Sequence, residues 1–160
     1  KHIQLKKIMI NVEVLVESSQ WRKIVKSPKK LILKTIKSFP KKYRFINKRA
    51  HISLLLTNNK KIKYLNKKFR KKNKATDILS FPNFNNKNLK KNIKNKDFYL
   101  GDIAISHEEF VKKNKFEFEN GFLKIFIHGF LHLLNFDHKL NKDYKIMNSV
   151  EKEIFHKVKG

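Results

Sequence analysis

The sequence predicts an α+β fold in which a small mixed four-stranded sheet is surrounded by about five helices. Short runs of alternating, β-branched residues are interspersed with longer runs whose apolar residues recur at helical spacing. The length of 160 residues, without an internal repeat, suits one domain over 1–160 that can bury a real core.

Four runs are predicted to form strands. The first covers 7–16, where β-branched residues alternate, and the second covers 50–57. The third, 77–81, is short and is stopped by Pro82, and the fourth covers 99–106. With helical runs placed between and after them, these strands predict one small mixed sheet.

Five other runs are predicted to form helices, and three of them follow a residue that suits an N-cap. The N-cap residues are Ser27, Asn58 and Ser106. The runs are 28–39, 59–69, 107 onwards, 117–134 and 142–158. Between the third and fourth strands, 85–97 is dominated by Asn and Lys. We expect this segment to be a surface loop or disordered insertion that cannot build a core, with a role in holding RNA as the lesser interpretation.

The formal charge of +26, from 39 Lys and Arg against 13 Asp and Glu, is extreme for a folded enzyme. Such an excess predicts a polyanionic partner, with nucleic acid first and an anionic membrane surface as the lesser alternative. Abundant Lys, Asn, Ile and Phe are also what an AT-rich genome produces without selection on charge. The lysine excess therefore has two interpretations, a binding surface and compositional drift.

The chain contains no cysteine, so we expect no disulfide-linked partner, and any zinc must be held by His and carboxylate groups. Zero Cys fits a reducing compartment, and we expect a cytoplasmic protein. No apolar run approaches the roughly 18 residues of a membrane span, so no membrane partner is expected. The N-terminal stretch alternates and contains Glu13, which is typical of a strand rather than a signal peptide. Because the chain begins with Lys rather than Met, its natural start stays open.

The segment HGFLHLLNFDH carries three closely spaced histidines, His128, His132 and His138. Positions i and i+4 lie on one face of a helix, so the first two imidazoles should point towards a common place. Asn135 is a predicted helix stop, because Asn tolerates the left-handed conformation at C′. The turn can then return His138 to the same place. Three imidazoles with an open fourth position are typical of a catalytic zinc site.

The alternative for a histidine on an apolar helix face is ordinary packing in the core. Gly129 and Asp137 favour the metal interpretation over that alternative. Gly inside a helix costs about 1 kcal/mol relative to Ala, so something should approach the backbone closely at Gly129. The zinc peptidase motif H-E-x-x-H is not matched, because Gly129 follows His128 and no Glu lies between the two histidines.

A second group of candidate residues lies in NKKFRKKNKATDILSFP, residues 66–82. Arg70 is the only Arg in this stretch, and its planar fork matches a phosphate, whereas most of the lysines are interpreted as solvated. Phe81 and Phe84 flank Pro82 and could stack on unpaired bases. For Phe81, core packing is the favoured interpretation.

Three segments together resemble the YbeY-type endoribonucleases, the rRNA maturation factors of bacteria and organelles. They are N-x-x-F-R with T-D-I-L-S-F-P, then L-G-D-I-A-I-S, then H-G-F-L-H-L-L-N-F-D-H. The chain departs from the family pattern at three positions. Asn135 stands where the family usually has Gly, Phe136 where it usually has Tyr, and Ala75 where it commonly has Pro.

The resemblance implies a zinc-dependent endoribonuclease specific for single strands. It would act in rRNA processing, notably at the 3′ end of small-subunit rRNA, and in ribosome quality control, so its expected partners are single-stranded RNA, rRNA and ribosomal particles. His128, His132 and His138 carry over as ligands of one Zn²⁺, and Arg70 carries over as the residue acting on the RNA phosphate.

Several points stay open from the sequence. Asp137 could orient a metal ligand or serve as a base, Phe84 is a candidate for base stacking, and either water or the 2′-hydroxyl could attack. Two other functions also remain: a non-catalytic RNA-binding ribosome assembly factor with a structural zinc, and a metal-dependent hydrolase of another substrate. The open coordination position argues against the first, and the missing Glu and the charge of +26 argue against the second.

Overall fold

The computed structural model describes residues 10–45 and 48–160. Its four strands form a single mixed sheet in the order β1-β2-β4-β3. The strands are β1 (Ile10–Val16), β2 (Arg49–Thr57), β3 (Ile78–Pro82) and β4 (Asp97–Ser106). β2 pairs in parallel with both β1 and β4, whereas β3 pairs antiparallel with β4. The predicted four-stranded mixed sheet is confirmed; residues 7–9 of the predicted first strand lie outside the described residues.

Seven α-helices accompany the sheet in the described part of the chain, two more than the sequence predicted. They are α1 (Trp21–Ile24), α2 (Pro28–Lys37), α3 (Asn59–Arg70), α4 (Asn86–Asn92), α5 (His107–Lys113), α6 (Phe118–Leu133) and α7 (Asn141–Lys159). The two additional helices, α1 and α4, are short, with 4 and 7 residues. The α+β class and the single domain are confirmed. Within the described ranges, no helix is both long and apolar enough to cross a membrane.

All three predicted N-cap residues stand at N-cap positions, but only one of their side chains makes a capping hydrogen bond. Asn58 accepts a hydrogen bond from the backbone N–H of Lys61 at 3.0 Å, as an N-cap side chain should. Ser27 and Ser106 stand at N-cap positions, but neither side chain makes a capping hydrogen bond. Because Ser106 is fully buried, its hydroxyl needs a partner inside the protein, and it donates to Oδ1 of Asn59 at 2.6 Å.

The segment 85–97, predicted to be a loop, contains α4 and the first residue of β4. Asn85 caps this helix by accepting from the backbone N–H of Asn88 at 2.9 Å. Leu89 is only 7% exposed and belongs to the main core. The interpretation as a loop that cannot build a core is therefore wrong, because buried Leu89, half-buried Ile93 and one N-cap dock a short helix on the core.

The two faces of the sheet carry different helices because side chains alternate along each strand. On one face α6 packs over β3 and β4, and α2 packs beside it over β1. On the other face, Ile62 of α3 forms a smaller cluster with Leu79 and Ala104. The candidate site lies where the C-terminal end of α6 passes over β3.

Candidate metal centre and cleft

Helix α6 can approach the sheet closely because Gly129 has no side chain. A Cβ atom at this position would lie 2.8 Å from Cδ1 of Ile78 and 3.2 Å from Cδ1 of Ile103. The prediction of a close approach at Gly129 is confirmed, and the neighbours are side chains of β3 and β4. This contact fixes the height of α6 above the sheet, and with it the positions of His128 and His132.

The end of α6 turns the chain back towards the two histidines. Asn135 adopts the left-handed conformation, with φ of 66°. The backbone N–H of Phe136 donates to the carbonyl of Leu131 at 3.0 Å, and that of Asn135 donates to the carbonyl of His132 at 2.9 Å. This pair of bonds is a Schellman motif with Asn135 at C′, which confirms Asn135 as the helix stop. The reversal returns His138 to the face that carries the other two imidazoles.

The three histidines converge on one point. Each offers a ring nitrogen, and these three atoms all lie within 4.8 Å of one another. Nε2 of His128 and Nε2 of His132 are 3.1 Å apart. Tetrahedral zinc with bonds of about 2.0–2.1 Å places its ligand nitrogens roughly 3.3 Å apart. The donor set and its spacing therefore fit one zinc ion.

The hydrogen bonds of the two Nδ1 atoms orient the imidazoles so that Nε2 of His128 and Nε2 of His132 face each other. Nδ1–H of His132 donates to the backbone carbonyl of Phe136 at 2.9 Å. Nδ1 of His128 lies at hydrogen-bond distance from a carboxylate oxygen of Glu151. A carbonyl and an ionised carboxylate only accept, so both Nδ1 atoms carry a proton, and in the neutral imidazole the Nε2 atom then presents a lone pair. Two such lone pairs 3.1 Å apart repel each other, and either a metal ion or a proton between them would relieve the repulsion.

The environment keeps His132 in the form that binds metal. Burial lowers the pKa of His132 from its ordinary value to about 4, and the nearby His128 adds to this effect. His132 is therefore neutral at pH 7, and neutral imidazole is the form that coordinates a metal ion.

Asp137 lies beside the third histidine and is exposed. Its carboxylate accepts a hydrogen bond from the backbone N–H of His138 at 2.7 Å. This hydrogen bond lowers the pKa of Asp137 below its ordinary value. A carboxylate that is stabilised in its ionised form is a weaker base, so the geometry favours an orienting role over a role as general base.

The histidines open into a cleft of about 620 Å³ between α6 and the strand β3. Arg70 and Asp137 line this cleft together with all three histidines. Cationic side chains predominate among its other charged residues, which are Lys72, Lys74, Asp77 and Lys139. The structure thus brings five of the six candidate site residues into one cleft, where cations suit an anionic substrate.

Arg70, the last residue of α3, is held by β3. One of its Nη2–H groups donates to the backbone carbonyl of Ser80, and its guanidinium carbon lies 5.5 Å from the ring centroid of Phe81. The Ser80 hydroxyl in turn donates to the carbonyl of Gly129 at 3.3 Å, which ties β3 to α6. Because a guanidinium has five N–H donors, these contacts orient Arg70 and leave donors for a phosphate.

Phe84 is the candidate that the structure places elsewhere. It is half-buried against the main core and does not line the cleft. Its backbone carbonyl accepts a hydrogen bond from the side-chain amide of Asn135 at 2.9 Å, which ties it to the histidine loop. The contacts of Phe84 are therefore those of a packing residue, and base stacking by this ring stays a prediction.

Two residues that shape the site were not among the candidates predicted from the sequence. Glu151 lies on α7 between Met147 and Ile154, which are 1% and 0% exposed. A carboxylate in an otherwise buried helical stripe needs a partner, so the sequence indicated that Glu151 is paired but not that its partner is His128. Asn66 is 3% exposed and donates from its side-chain amide to the carbonyl of Lys74 at 2.9 Å, so it shapes the loop that follows Arg70.

Comparison with known proteins gives consistent matches over nearly the whole chain. The family model described as Endoribonuclease YbeY matches residues 15–159. An Endoribonuclease YbeY of Pelagibacter ubique is 48% identical over 155 residues, covering 94% of this chain and 97% of the relative. Another, of Ehrlichia canis, is 31% identical over 150 residues and covers 92% of both chains. The solution structure of TM1509 from Thermotoga maritima matches with a TM-score of 0.55 and 25% identity, covering 94% of this chain and 89% of that one.

The fold, the cleft and these matches define an α+β hydrolase that cleaves RNA. The chain belongs to the endoribonuclease YbeY family, and the resemblance carried by its three motifs is confirmed.

Proposed function

We propose that this protein is a zinc-dependent endoribonuclease that cuts single-stranded RNA. Its role would be rRNA processing, notably at the 3′ end of small-subunit rRNA, and ribosome quality control in the cytoplasm. Family membership supports RNA cleavage. The observation that supports zinc dependence is the convergence of one ring nitrogen from each of His128, His132 and His138 within 4.8 Å of one another.

One Zn²⁺ would be held by His128, His132 and His138. When bound, zinc would supply Lewis-acid activation of water and of a phosphoryl oxygen. Glu151 and the carbonyl of Phe136 fix the tautomers of the first two histidines, so that their lone pairs face inwards.

Arg70 would stabilise the negative charge that develops on the phosphate. Its anchoring by Ser80 and Phe81 supports this role, because a donor that is already oriented needs no reorganisation during the reaction. Asp137 would hold the backbone of His138 in the position that the third ligand requires. Lys72, Lys74 and Lys139 would attract the RNA backbone to the cleft.

The main competing function is a non-catalytic assembly factor with a structural zinc. Structural zinc sites are usually closed by four protein ligands, whereas three histidines leave one position open. The described residues contain one cluster that could hold a metal, and its members are these three histidines. The open position therefore favours catalysis.

The deciding experiment incubates the zinc-loaded protein with single-stranded and double-stranded RNAs of one sequence, with and without a chelator. We expect cleavage of the single strand alone, its loss with chelator and its return with added zinc. Binding of RNA without cleavage under all conditions would support the assembly factor instead. Cleavage that persists after complete zinc removal would overturn the proposed metal dependence.

A further inference from the structure

A second groove lies at the other edge of the sheet from the histidine cleft, beside β1, which is an outer strand of the described sheet. It encloses about 830 Å³ between β1, the α1 region and α2. Its charged lining residues are all cations and all exposed, namely Arg22, Lys26, Lys29, Lys30, Lys34 and Lys37. We call this feature the basic groove.

The basic groove has an apolar floor and a cationic rim. Half-buried Val14, Val16 and Leu33 form part of the floor. On the rim, Lys30, Lys34 and Lys37 recur at intervals of four and three residues along α2. With a rise of 1.5 Å per residue, the row extends for about 10 Å. A row of like charges suits a chain of phosphates better than a single small anion.

Acidic groups do not neutralise the groove. The sequence contains no Asp or Glu from 18 to 76. Glu13 faces the other side of the sheet, and Glu17 accepts a hydrogen bond from the hydroxyl of Thr57 at 2.9 Å. Among the salt bridges of the described residues, none involves a cation of the groove.

The basic groove is separate from the histidine cleft. β1 and β3 are the two edges of the sheet, with β2 and β4 between them. Three strand spacings of about 4.8 Å place these edges roughly 14 Å apart. A short oligonucleotide in the cleft would not reach the groove, whereas a longer strand could occupy both.

We propose that the basic groove is a second RNA-binding surface, which holds the backbone of a single strand away from the point of cleavage. The inference builds on RNA being the substrate, and it assigns a use to lysines that the cleft does not explain. Because aromatic side chains are missing from its lining, the groove would contact phosphates and tolerate any sequence.

The test compares two triple variants of the full-length protein. The first carries Lys30→Gln, Lys34→Gln and Lys37→Gln in the groove. The control carries Lys60→Gln, Lys63→Gln and Lys67→Gln on α3, three exposed lysines with intervals of three and four residues. Both variants lower the net charge equally, and Gln is nearly as good a helix former as Lys. Zinc content and thermal midpoint confirm that both remain folded.

Affinity for a labelled single-stranded RNA is measured by anisotropy at several salt concentrations, and gels verify that the RNA stays intact. If three phosphate contacts are lost, the log–log salt slope should become shallower by about 2 in the groove variant, and by clearly less in the control. Equal slopes in the two variants would overturn the proposal and show that only net charge matters. Binding of poly-glutamate, a mimic of an acidic protein, is measured on the same two variants. If the two variants bound RNA equally and only the groove variant lost poly-glutamate binding, the proposal would be overturned in favour of an acidic protein partner. Because binding is measured apart from cleavage, failure of zinc-dependent catalysis would not affect this result.

Discussion

The histidine cleft and the basic groove are both cationic, but they hold their charges in different ways. In the cleft, Arg70, His128 and His132 are each fixed by a hydrogen bond to a carbonyl or carboxylate. In the groove, the lysines extend into solvent along α2. Oriented groups can stabilise a particular charge distribution, whereas mobile point charges give affinity that salt screens. Under the two proposals, exposed lysines would supply RNA affinity, whereas a few anchored residues would supply the chemistry.

The largest effect should come from His132→Ala, which removes a central ligand of the cleft. The parent should carry about one zinc per chain, because the described residues contain one cluster of three histidines. The variant should lose zinc and all detectable cleavage while it keeps most of its RNA affinity, because that affinity is spread over many lysines. Elemental analysis, cleavage rate and RNA affinity are measured on the same samples. Zinc retained at the parental level would exclude His132 as a ligand.

Arg70→Ala should reduce cleavage by roughly 10²-fold or more, the scale for removing one oriented charge-stabilising donor. Zinc should stay bound, because Arg70 is not a ligand. Arg70→Lys should restore only part of the rate, since Lys lacks the planar fork that Ser80 and Phe81 orient. Cleavage rate and zinc content are compared for the three proteins, and parental activity in Arg70→Ala would show that its role is assigned wrongly.

Glu151→Gln should weaken zinc binding by roughly 10- to 100-fold, the usual cost of changing a group that orients a metal-bound histidine. Glu153→Gln is the matched control, because Glu153 lies on the same helix, is 52% exposed and pairs with Lys42. Zinc affinity is measured by competition with a chelating dye. Equal affinities in the two variants would mean that the contact between Glu151 and His128 does not support the metal.

Leu89→Ala should lower the free energy of unfolding by about 2 kcal/mol, because it leaves a cavity under α4. Lys90→Ala, at an exposed neighbouring position, should have little effect. Both are followed by urea denaturation. Neither substitution should change the RNA salt slope, so an altered slope in Leu89→Ala would indicate that α4 contributes to RNA binding.

The metal-free protein should lose stability as the pH falls from about 6.5 towards 4. The pKa of His132 is about 4 in the folded protein and higher in the unfolded chain. Between these values the unfolded chain binds more protons, so acid favours unfolding. Denaturation of the metal-free protein across this range measures the effect, and His132→Ala should flatten the profile. A parental profile in that variant would assign the dependence to other groups.

Local sequence patterns predicted most of the fold and the cluster of three histidines. The helical spacing of His128 and His132, and the turn-forming Asn135, are short-range features, and the structure has them as predicted. α4 was missed because Asn and Lys dominate its composition and only Leu89 and the C-cap residue Ile93 attach it to the core. Glu151 was missed because it meets His128 through tertiary packing across 23 positions of sequence, which periodicity alone does not reveal.

The contact between Glu151 and His128 also has a consequence for biosynthesis. α7 is synthesised after all three histidines, so the nascent chain holds its complete set of metal-binding nitrogens before the carboxylate that orients one of them exists. A metal site whose outer hydrogen bond comes from α7 would reach its full zinc affinity only after α7 has been synthesised.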